Sequence, residues 1–469
     1  MAVSVQPTAG TAQDVWRRIG ILGGGQLGLM IAEAARRLNV HTTVLDPNPA
    51  CPASLAADAT LEGSFRDAAR IRDLAKACDA LTVEIEHIDA GAYGEAGRAC
   101  GIPTAPLPAT VALIQDKFLQ KQHFAEQGVP QGPCRSVDSA EELAVAGQEL
   151  GYPLMLKARK GAYDGRGNAV IDSAASAVSA VASLLPPPAA EAFAAGQPGG
   201  AGLLYVEGWV AFQRELAVMV ARSATEECAA YPVVETVHKD SICHVVIAPA
   251  PVSDEVHAAA TAAALAAVQC LSGAGVFGVE LFHTDAGAVL LNEVAPRPHN
   301  SGHYTIEACE CDQFEQLVRC VLGLPLGSTA LRVPAAIMVN VLGTPAQEDD
   351  DDAALLPSAE LAGAAANPLW SDPAAKQVLL ASGVAEPRAV QSTWAMCQRA
   401  LGVPGAAVHW YGKAGTRPGR KVGHITVTAP SQAEAFLRAG RVLGQGLASE
   451  PAYARFFPAP TDATGSAGK

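Results

Sequence analysis

The stretch Val276–His303 reads VFGVELFHTDAGAVLLNEVAPRPHNSGH, and its pattern predicts the centre of the fold. Two short apolar runs, Val276–Phe282 and Val289–Val294, flank a polar turn, which is typical of two antiparallel strands. Each strand carries one glutamate, Glu280 or Glu293, and a hairpin of suitable register brings the two carboxylates together. Because adjacent carboxylates in an apolar hairpin repel each other, we expect a positive charge between them.

A hard divalent cation with oxygen ligands fits this requirement. Mg²⁺ takes one or two carboxylates together with nucleotide phosphates, and Mn²⁺ is the alternative ion. Asn292 stands next to Glu293 as a further ligand or a phosphate contact. The other interpretation is a hairpin whose charges face solvent, but the dense polar run with Arg297, His299 and Asn300 that follows argues against it.

A glycine-rich turn opens the chain's first strand-helix unit. Gly23, Gly25 and Gly28 have the Gly-x-Gly-x-x-Gly spacing that lets a phosphate approach a helix N-terminus, and Asp46 ends the next strand. The motif is weak, because the same glycines also allow close strand-helix packing. Asp46 either binds a ribose or caps a turn, and strand-helix alternation to about residue 108 predicts a parallel sheet.

Three later segments have the composition of a nucleotide site. Lys157 leaves a buried strand and runs into the glycine-rich loop 160–168, a plausible clamp on a polyphosphate, although a hairpin turn would also explain the glycines. The strand edge 207–210 can offer backbone donors and acceptors to an adenine, and Glu215 can bind ribose hydroxyls. Lys117 and His238, each taken alone, are more often structural.

A basic turn lies near the C-terminus between two predicted strands. Lys413, Arg417, Arg420 and Lys421 suggest an anion site in an otherwise acidic chain, and a solvated turn is the alternative. The 469 residues carry a net charge of −14, which argues against nucleic acid or an anionic membrane as partner. We expect a soluble cytoplasmic protein, because no apolar run is long enough to span a bilayer and the 11 cysteines lack paired spacings.

Several runs together resemble the ATP-grasp N5-carboxyaminoimidazole ribonucleotide synthetases of purine biosynthesis, and in particular the N-terminal half of eukaryotic bifunctional phosphoribosylaminoimidazole carboxylase. The runs are LGGGQLG at 22–28, LTVEIEH at 81–87, QDK at 115–117, AYDGRGN at 162–168, ETVHKD at 235–240, NEVAPRPHNSGH at 292–303, and YGK at 411–413 with RPGRKVGH at 417–424. Their order and spacing match the family from about residue 19 to 445.

The resemblance implies an α/β fold in three domains. We expect an open parallel α/β preATP-grasp domain over 19–112, an ATP-grasp domain over 113–330, and a small β-rich domain over 331–447. Residues 1–18 would be an extension and 448–469 a tail or linker. Two insertions, at about 186–202 and 344–393, are expected to decorate the surface.

The resemblance also implies the chemistry. ATP would phosphorylate bicarbonate to carboxyphosphate, and the exocyclic amine of 5-aminoimidazole ribonucleotide would take the carboxyl group, via released CO₂, to give the N5-carbamate. Glu280 and Glu293 would bind Mg²⁺. ATP would contact Lys117, Lys157, Ala162, Tyr163, Asp164, Gly165, Arg166, Gly167, Asn168, Glu207, Gly208, Trp209, Val210, Glu215, His238, Asn292 and Glu293.

The same resemblance assigns the remaining site residues. Arg297 and His299 would orient bicarbonate or carboxyphosphate, with Tyr163, Asp164 and Lys413 completing the catalytic set. The ribonucleotide would face Gln26, Tyr163, Asp164, Arg166, Asn300, Lys413 and Arg420. Leu29 departs from the arginine usual in the family, so a substrate contact there is not expected.

The resemblance further implies a homodimer, and a mutase/carboxylase domain either fused to the chain or acting beside it. A plastid location is the alternative to the cytoplasm. Three other functions compete: a nicotinamide-dependent oxidoreductase built on Gly23–Gly28, a catalytically silent scaffold, and an ATP-grasp carboxylase with a different acceptor.

Overall fold

The computed structural model describes residues 17–161, 167–343, 388–413, 417–444 and 451–457. These residues form three sheets whose helices pack on their faces. Within them, no helix combines the length and the apolar composition that a bilayer crossing requires.

The N-terminal sheet is parallel, as the strand-helix alternation predicts. Its strand order is β3-β2-β1-β4, and every residue of β4 is buried, which is typical of a parallel sheet covered on both faces. The elements are β1 Arg18–Leu22, α1 Gln26–Arg37, β2 His41–Asp46, β3 Ala59–Glu62, α2 Ala68–Ala77, β4 Ala80–Val83, α3 Ala90–Cys100 and α4 Pro108–Gln115. The Asp67 side chain accepts hydrogen bonds from backbone N–H groups of the first turn of α2, which explains why this helix begins there.

A small antiparallel sheet follows, with the order β5-β8-β6-β7. Its elements are α5 Lys117–Glu126, β5 Cys134–Val137, α6 Ala140–Leu150, β6 Leu154–Ala158, β7 Asn168–Ile171, α7 Ala177–Leu184, α8 Pro187–Ala194 and β8 Leu204–Gly208. Helix α8 lies inside the predicted insertion at 186–202. Its Phe193 is buried in the core under this sheet, so this segment packs against the domain rather than standing away from it.

The largest sheet has nine strands and carries the hairpin quoted first. Its order is β14-β13-β9-β11-β12-β15-β17-β16, with β10 paired to β9. The elements are β9 Phe212–Arg222, β10 Cys228–Ala230, β11 Val234–Lys239, β12 Ile242–Ala248, α9 Asp254–Gln269, β13 Gly275–Thr284, β14 Val289–Ala295, α10 Thr305–Ala308, α11 Gln313–Leu322, β15 Ala335–Leu342, α12 Arg388–Leu401, β16 Ala406–Trp410, β17 Lys421–Ala429 and α13 Gln432–Leu443. Strands β15, β17 and β16 of the predicted C-terminal domain thus extend the central sheet through β12.

One predicted element is wrong in its extent. The sequence pattern predicts one amphipathic helix from Tyr304 to Leu322, but the structure contains two, α10 and α11. The chain leaves the helical conformation at Cys309, and Asp312 starts α11 by accepting hydrogen bonds from Phe314 and Glu315 N–H. This break lets the loop after β14 and the first residue of α11 contact each other.

Candidate active site

A cavity of about 800 Å³ opens where the three sheets meet. Residues from all three predicted domains line it, so a ligand would touch each of them. The predicted site residues along its wall are Gln26, Lys117, Lys157, Asn168, Glu215, His238, Glu280, Asn292, Glu293, Arg297, His299, Asn300, Lys413 and Arg420.

The two glutamates of the hairpin face each other, as the sequence predicts. Glu280 of β13 is the register partner of Glu293 of β14, and the register then shifts so that Leu281 pairs with Leu291. Asn292 is therefore the extra residue of a β-bulge. Because a bulge re-aims side chains that would otherwise alternate between the two faces, Asn292 and Glu293 both reach the cavity.

Burial and mutual repulsion act on both carboxylates of this pair, but the two pKa values shift in opposite directions. Burial, followed by the charge of Glu293, raises the pKa of Glu280 to about 8. Burial also works against ionisation of Glu293, but its ion pair with Lys117 outweighs this and lowers the pKa of Glu293 to about 2. The buried Oδ1 of Asn292 has no hydrogen-bond partner among the described residues. Two carboxylates and a free amide oxygen are ligands that Mg²⁺ prefers, so this donor set fits the predicted ion.

Arg297 is held by a carboxylate to which the sequence analysis gives no role. Its guanidinium makes two contacts with Glu86, Nε–Oε2 at 2.5 Å and Nη2–Oε1 at 3.0 Å. Burial would raise the pKa of Glu86, but Arg297 lowers it to about 2. Glu86 lies just beyond the carboxyl end of β4, where ligands of parallel sheets collect. This position in the sequence could have predicted that Glu86 belongs to the site.

Lys157 is paired with Glu207 at 3.0 Å, and the buried Lys121 lies 3.6 Å from the same carboxylate. Tyr205 donates a further hydrogen bond to Glu207. Lys121 was missed by the sequence analysis, although it follows Lys117 by one turn on α5. Burial lowers the pKa of Lys121, against the opposing effect of Glu207.

The segment 207–210, predicted to contact an adenine, is a free strand edge only in its second half. Glu207 and Gly208 belong to β8, which lies between β5 and β6 in the interior of its sheet. Only Trp209 and Val210 lie beyond the strand, and Trp209 is about half exposed at 49%. These four residues do not line the cavity, whereas Glu215 and His238 do, with Nδ1 of His238 3.3 Å from the Glu215 carboxylate. Burial raises the pKa of Glu215 to about 7, against the opposing effect of Lys157.

Of the residues predicted to face the ribonucleotide, Gln26, Asn300, Lys413 and Arg420 line the cavity. Lys413 donates to the carbonyl of Lys421 at 2.7 Å, and burial lowers the pKa of Arg420, helped by Arg417. Asn300 and Asn340 exchange two side-chain amide hydrogen bonds, at 2.9 and 2.6 Å. Because both polar atoms of the Asn300 amide are used in this way, its side chain braces the loop after β14 against β15.

The glycine-rich turn of the first unit does not leave room for a phosphate. The N–H groups of Gly25 and Gly28 donate to the Glu84 carboxylate at 2.8 and 2.9 Å, where a dinucleotide phosphate would have to sit. Asp46 accepts from Gly24 and Asn48 N–H, so it caps a turn rather than binding a ribose. The oxidoreductase interpretation built on this motif is therefore wrong.

Five predicted loop residues lie outside the described residues, namely Ala162, Tyr163, Asp164, Gly165 and Arg166. Of the rest of that loop, Gly167 accepts a hydrogen bond from Ala158 N–H, and Asn168 begins β7 on the cavity wall.

Glu307, His409 and His424 form a second group of potential metal ligands. The two imidazole rings stack with centroids 4.3 Å apart and planes within 7° of parallel. The lone pairs of an imidazole lie in its ring plane, so two stacked parallel rings do not converge on one ion. We therefore interpret this group as a packing contact, in which His409 also bonds to Glu307 at 2.7 Å.

Comparison with known proteins gives matches along the chain. Models of a ribonucleotide synthetase preATP-grasp domain, an ATP-grasp domain and a phosphoribosylaminoimidazole carboxylase C-terminal domain match residues 16–115, 122–314 and 383–437. The phosphoribosylaminoimidazole carboxylase of Ogataea methanolica is 42% identical over 423 residues, 89% of this chain and 67% of that protein. The chain thus spans about two thirds of the length of this relative.

Two further proteins match over nearly their whole length. The N5-carboxyaminoimidazole ribonucleotide synthase of Synechococcus elongatus is 36% identical, with 92% of this chain and 94% of that protein covered. The crystal structure of N5-carboxyaminoimidazole synthase from Aspergillus clavatus, in complex with ADP and 5-aminoimidazole ribonucleotide, superposes with a TM-score of 0.72. It is 36% identical, and the match covers 91% of this chain and 97% of that one.

Proposed function

Since the chain belongs to the family of N5-carboxyaminoimidazole ribonucleotide synthases, ATP-grasp ligases of purine biosynthesis, we propose that its cavity carboxylates 5-aminoimidazole ribonucleotide with ATP and bicarbonate. The proposal rests above all on one arrangement: the carboxylates of Glu280 and Glu293 meet in register, and Arg297 and His299 lie on the same cavity wall.

ATP is proposed to enter between β6, β9 and the hairpin. Lys117 and Lys157 lie where they can take the negative charge of the phosphates, in exchange for their present partners Glu293 and Glu207. Glu215 and His238 form the wall proposed for the ribose. The adenine contact from Glu207, Gly208, Trp209 and Val210 stays a prediction, as does the loop 162–168 as a cover for the phosphates.

Mg²⁺ would be held by Glu280 and Glu293 with Asn292 beside them. When bound, the ion supplies positive charge that neutralises the β- and γ-phosphate oxygens. The protein's own part is to hold the reactants in line, because phosphoryl transfer depends mainly on positioning and electrostatic stabilisation.

The proposed reaction proceeds in three steps. A bicarbonate oxygen attacks the γ-phosphorus of ATP, the bond to the β-phosphate oxygen breaks, and ADP and carboxyphosphate form. Carboxyphosphate then releases CO₂ and phosphate, and the exocyclic amine of the ribonucleotide attacks CO₂ and loses one proton to give the carbamate. Arg297 and His299 bind the anionic oxygens of carboxyphosphate, while Gln26, Lys413 and Arg420 face the ribonucleotide together with Tyr163, Asp164 and Arg166.

The experiment that tests this function is a measurement of ADP release. The purified chain is given Mg-ATP and bicarbonate, with and without 5-aminoimidazole ribonucleotide. We expect release that depends on both bicarbonate and the ribonucleotide, and a loss of at least about 100-fold in kcat for Glu293→Gln.

Glu95→Gln is the matched control, because Glu95 is an exposed carboxylate of α3 that pairs with Arg72 on the surface and does not line the cavity. It should keep the activity of the unaltered chain. ADP release that ignores the ribonucleotide would point to an ATP-grasp carboxylase with another acceptor, and no ATP turnover at all would support the scaffold interpretation.

The cytoplasmic location, the homodimer and the mutase/carboxylase partner stay predictions. The greater length of the Ogataea relative is the observation that supports a partner domain. Sedimentation of the purified chain would test the dimer.

A further inference from the structure

His299 is held on its backbone by one buried side chain. The N–H of His299 donates to Oε1 of Gln313 at 2.9 Å, and the Nε2 amide of Gln313 donates to the His299 carbonyl at 2.9 Å. Because a backbone N–H only donates and a carbonyl only accepts, the Gln313 amide has a single orientation here. Gln313 is fully buried at the start of α11, so His299 is fixed to a helix rather than left on a free loop.

The ring of His299 is held by a second buried residue. Nδ1 of the ring lies 2.7 Å from Oγ of Ser301, and the backbone N–H of Ser301 makes a longer contact to the same nitrogen at 3.5 Å. Ser301 is 1% exposed. A backbone N–H cannot accept a hydrogen bond, so Nδ1 is the acceptor and the Ser301 hydroxyl is its donor.

This pattern decides which ring nitrogen carries the proton. A neutral imidazole has one N–H and one lone pair, and with the lone pair on Nδ1 the proton lies on Nε2. Nε2 is 3.4 Å from Oε1 of Glu280 on the cavity side. The ring therefore presents a donor to the cavity.

A donor at this place suits an anionic reactant. Bicarbonate and carboxyphosphate present oxygen atoms that accept hydrogen bonds. With the other tautomer, the Nε2 lone pair would face these oxygens, and an attractive contact would become a repulsive one. The tautomer therefore matters for the chemical step more than for binding of the nucleotide.

We propose that Ser301 and Gln313 are positioning residues for the carboxylation reaction, and that together they hold His299 in the orientation and tautomer that turn its Nε2–H towards the reacting anion. This inference rests on the proposed function of the cavity. The sequence pattern assigns no role to either residue. For Gln313 the reason is that its contact with His299 depends on the break between α10 and α11.

The first test is kinetic and uses Ser301→Ala. Loss of the hydroxyl removes the donor to Nδ1 and lets the ring exchange tautomers, so we expect kcat to fall about 10- to 100-fold, the range seen when a supporting hydrogen bond is removed. The KM for ATP should stay within about twofold, because the proposed nucleotide contacts are elsewhere. Ser223→Ala is the matched control: Ser223 is also a buried serine, its hydroxyl lies 2.9 Å from Thr225, and it does not line the cavity.

The second test reads the tautomer directly. Long-range proton–nitrogen correlation spectra of the chain labelled with ¹⁵N-histidine show which ring nitrogen carries the proton, and His299→Gln identifies the His299 signal by its loss. We expect the unaltered chain to show Nε2–H at His299, and Ser301→Ala to show a mixture of tautomers. The tautomer in the unaltered chain can be read even if Ser301→Ala does not fold, because only His299→Gln is needed to assign the signal.

The outcomes separate this inference from the proposed function. An Nδ1–H signal in the unaltered chain, or an unchanged kcat in Ser301→Ala, would overturn the positioning role even if the ribonucleotide is carboxylated. If the unaltered chain does not turn over the ribonucleotide, the proposed function fails. An Nε2–H signal that becomes a mixture of tautomers in Ser301→Ala would then still support the inference that Ser301 fixes the tautomer of His299. An equal fall in kcat for Ser223→Ala would show a general effect of lost buried hydroxyls and would also overturn the inference.

Discussion

At the scale of single residues, the cavity holds like charges closer together than stability alone would favour. Glu280 and Glu293 are direct register partners, and Lys117 pairs with only one of them. Glu280 is left with the repulsion, which together with burial explains its raised pKa. Function and stability therefore make opposite demands on this side chain.

Glu280→Gln should raise stability and abolish activity. In the absence of divalent ions, folding at neutral pH forces the Glu280 carboxyl, whose pKa is raised, either to take up a proton or to stay charged beside Glu293. The neutral amide of Gln avoids both costs, so we expect the free energy of unfolding at neutral pH to rise by about 1–2 kcal/mol. Mg²⁺ should stabilise the unaltered chain but not the variant, because binding to the folded state alone adds stability. Thermal unfolding with EDTA and with Mg²⁺ checks both expectations, and a variant that melts lower in EDTA would contradict the account.

At the scale of elements, the hairpin places the site through two local irregularities. The bulge at Asn292 turns that residue and Glu293 towards the cavity. On β13, Gly278 lies under the loop that carries His299, where an added Cβ would be 2.4 Å from the Cβ of His299. The glycine is therefore required for close approach rather than for an unusual backbone angle.

Gly278→Ala should displace His299 while leaving the sheet formed. An added methyl forces the loop to move by about 1 Å, and a shift of this size at a catalytic group can cost about 100-fold in kcat. Gly91→Ala in α3 is the control, because the nearest atom to its Cβ is Asp89 Oδ1 at 3.2 Å and Gly91 does not line the cavity. Steady-state kinetics with circular dichroism distinguishes the two, and full activity in Gly278→Ala would show that the close approach has no catalytic importance.

At the scale of the whole molecule, the segment 451–457 of the predicted tail packs on the large sheet. Tyr453 and Phe456 are each 1% exposed, and Arg455 makes two contacts with the buried Glu235 of β11, at 2.9 and 2.8 Å. Tyr453 also bonds to His244 of β12 at 2.5 Å. Strand β11 carries His238 at the cavity, so this segment braces the strand that forms part of the nucleotide wall.

Truncation after residue 444 should destabilise the chain much more than truncation after residue 457. The shorter product lacks Tyr453 and Phe456, and burial of each of these aromatic side chains contributes about 1.5–3 kcal/mol. It also lacks Arg455, so Glu235 keeps its ion pair with Arg214 but loses the one with Arg455. We expect a loss of about 3–5 kcal/mol in the free energy of unfolding. Urea unfolding of both products provides the measurement, and equal stability would mean that this segment does not support the sheet.

Local patterns along the chain are enough to predict the hairpin, the pairing of its two glutamates, the parallel N-terminal sheet and the polar run that follows the hairpin. These features follow from local periodicity and from the family's motifs, because alternating side chains and turn residues act over a few neighbours along the chain. The tertiary structure alone decided that Glu84 fills the glycine-rich turn, that β8 is an interior strand, and that Glu86, Lys121, Ser301 and Gln313 support the site. Most of these contacts join residues far apart in sequence. The contact of Gln313 with His299 depends on the break between two helices, and that of Ser301 with His299 depends on a tight loop. The physical reason is that burial makes an unpaired charge or polar group costly, so the partner is chosen by which groups the packed sheets bring within hydrogen-bond distance.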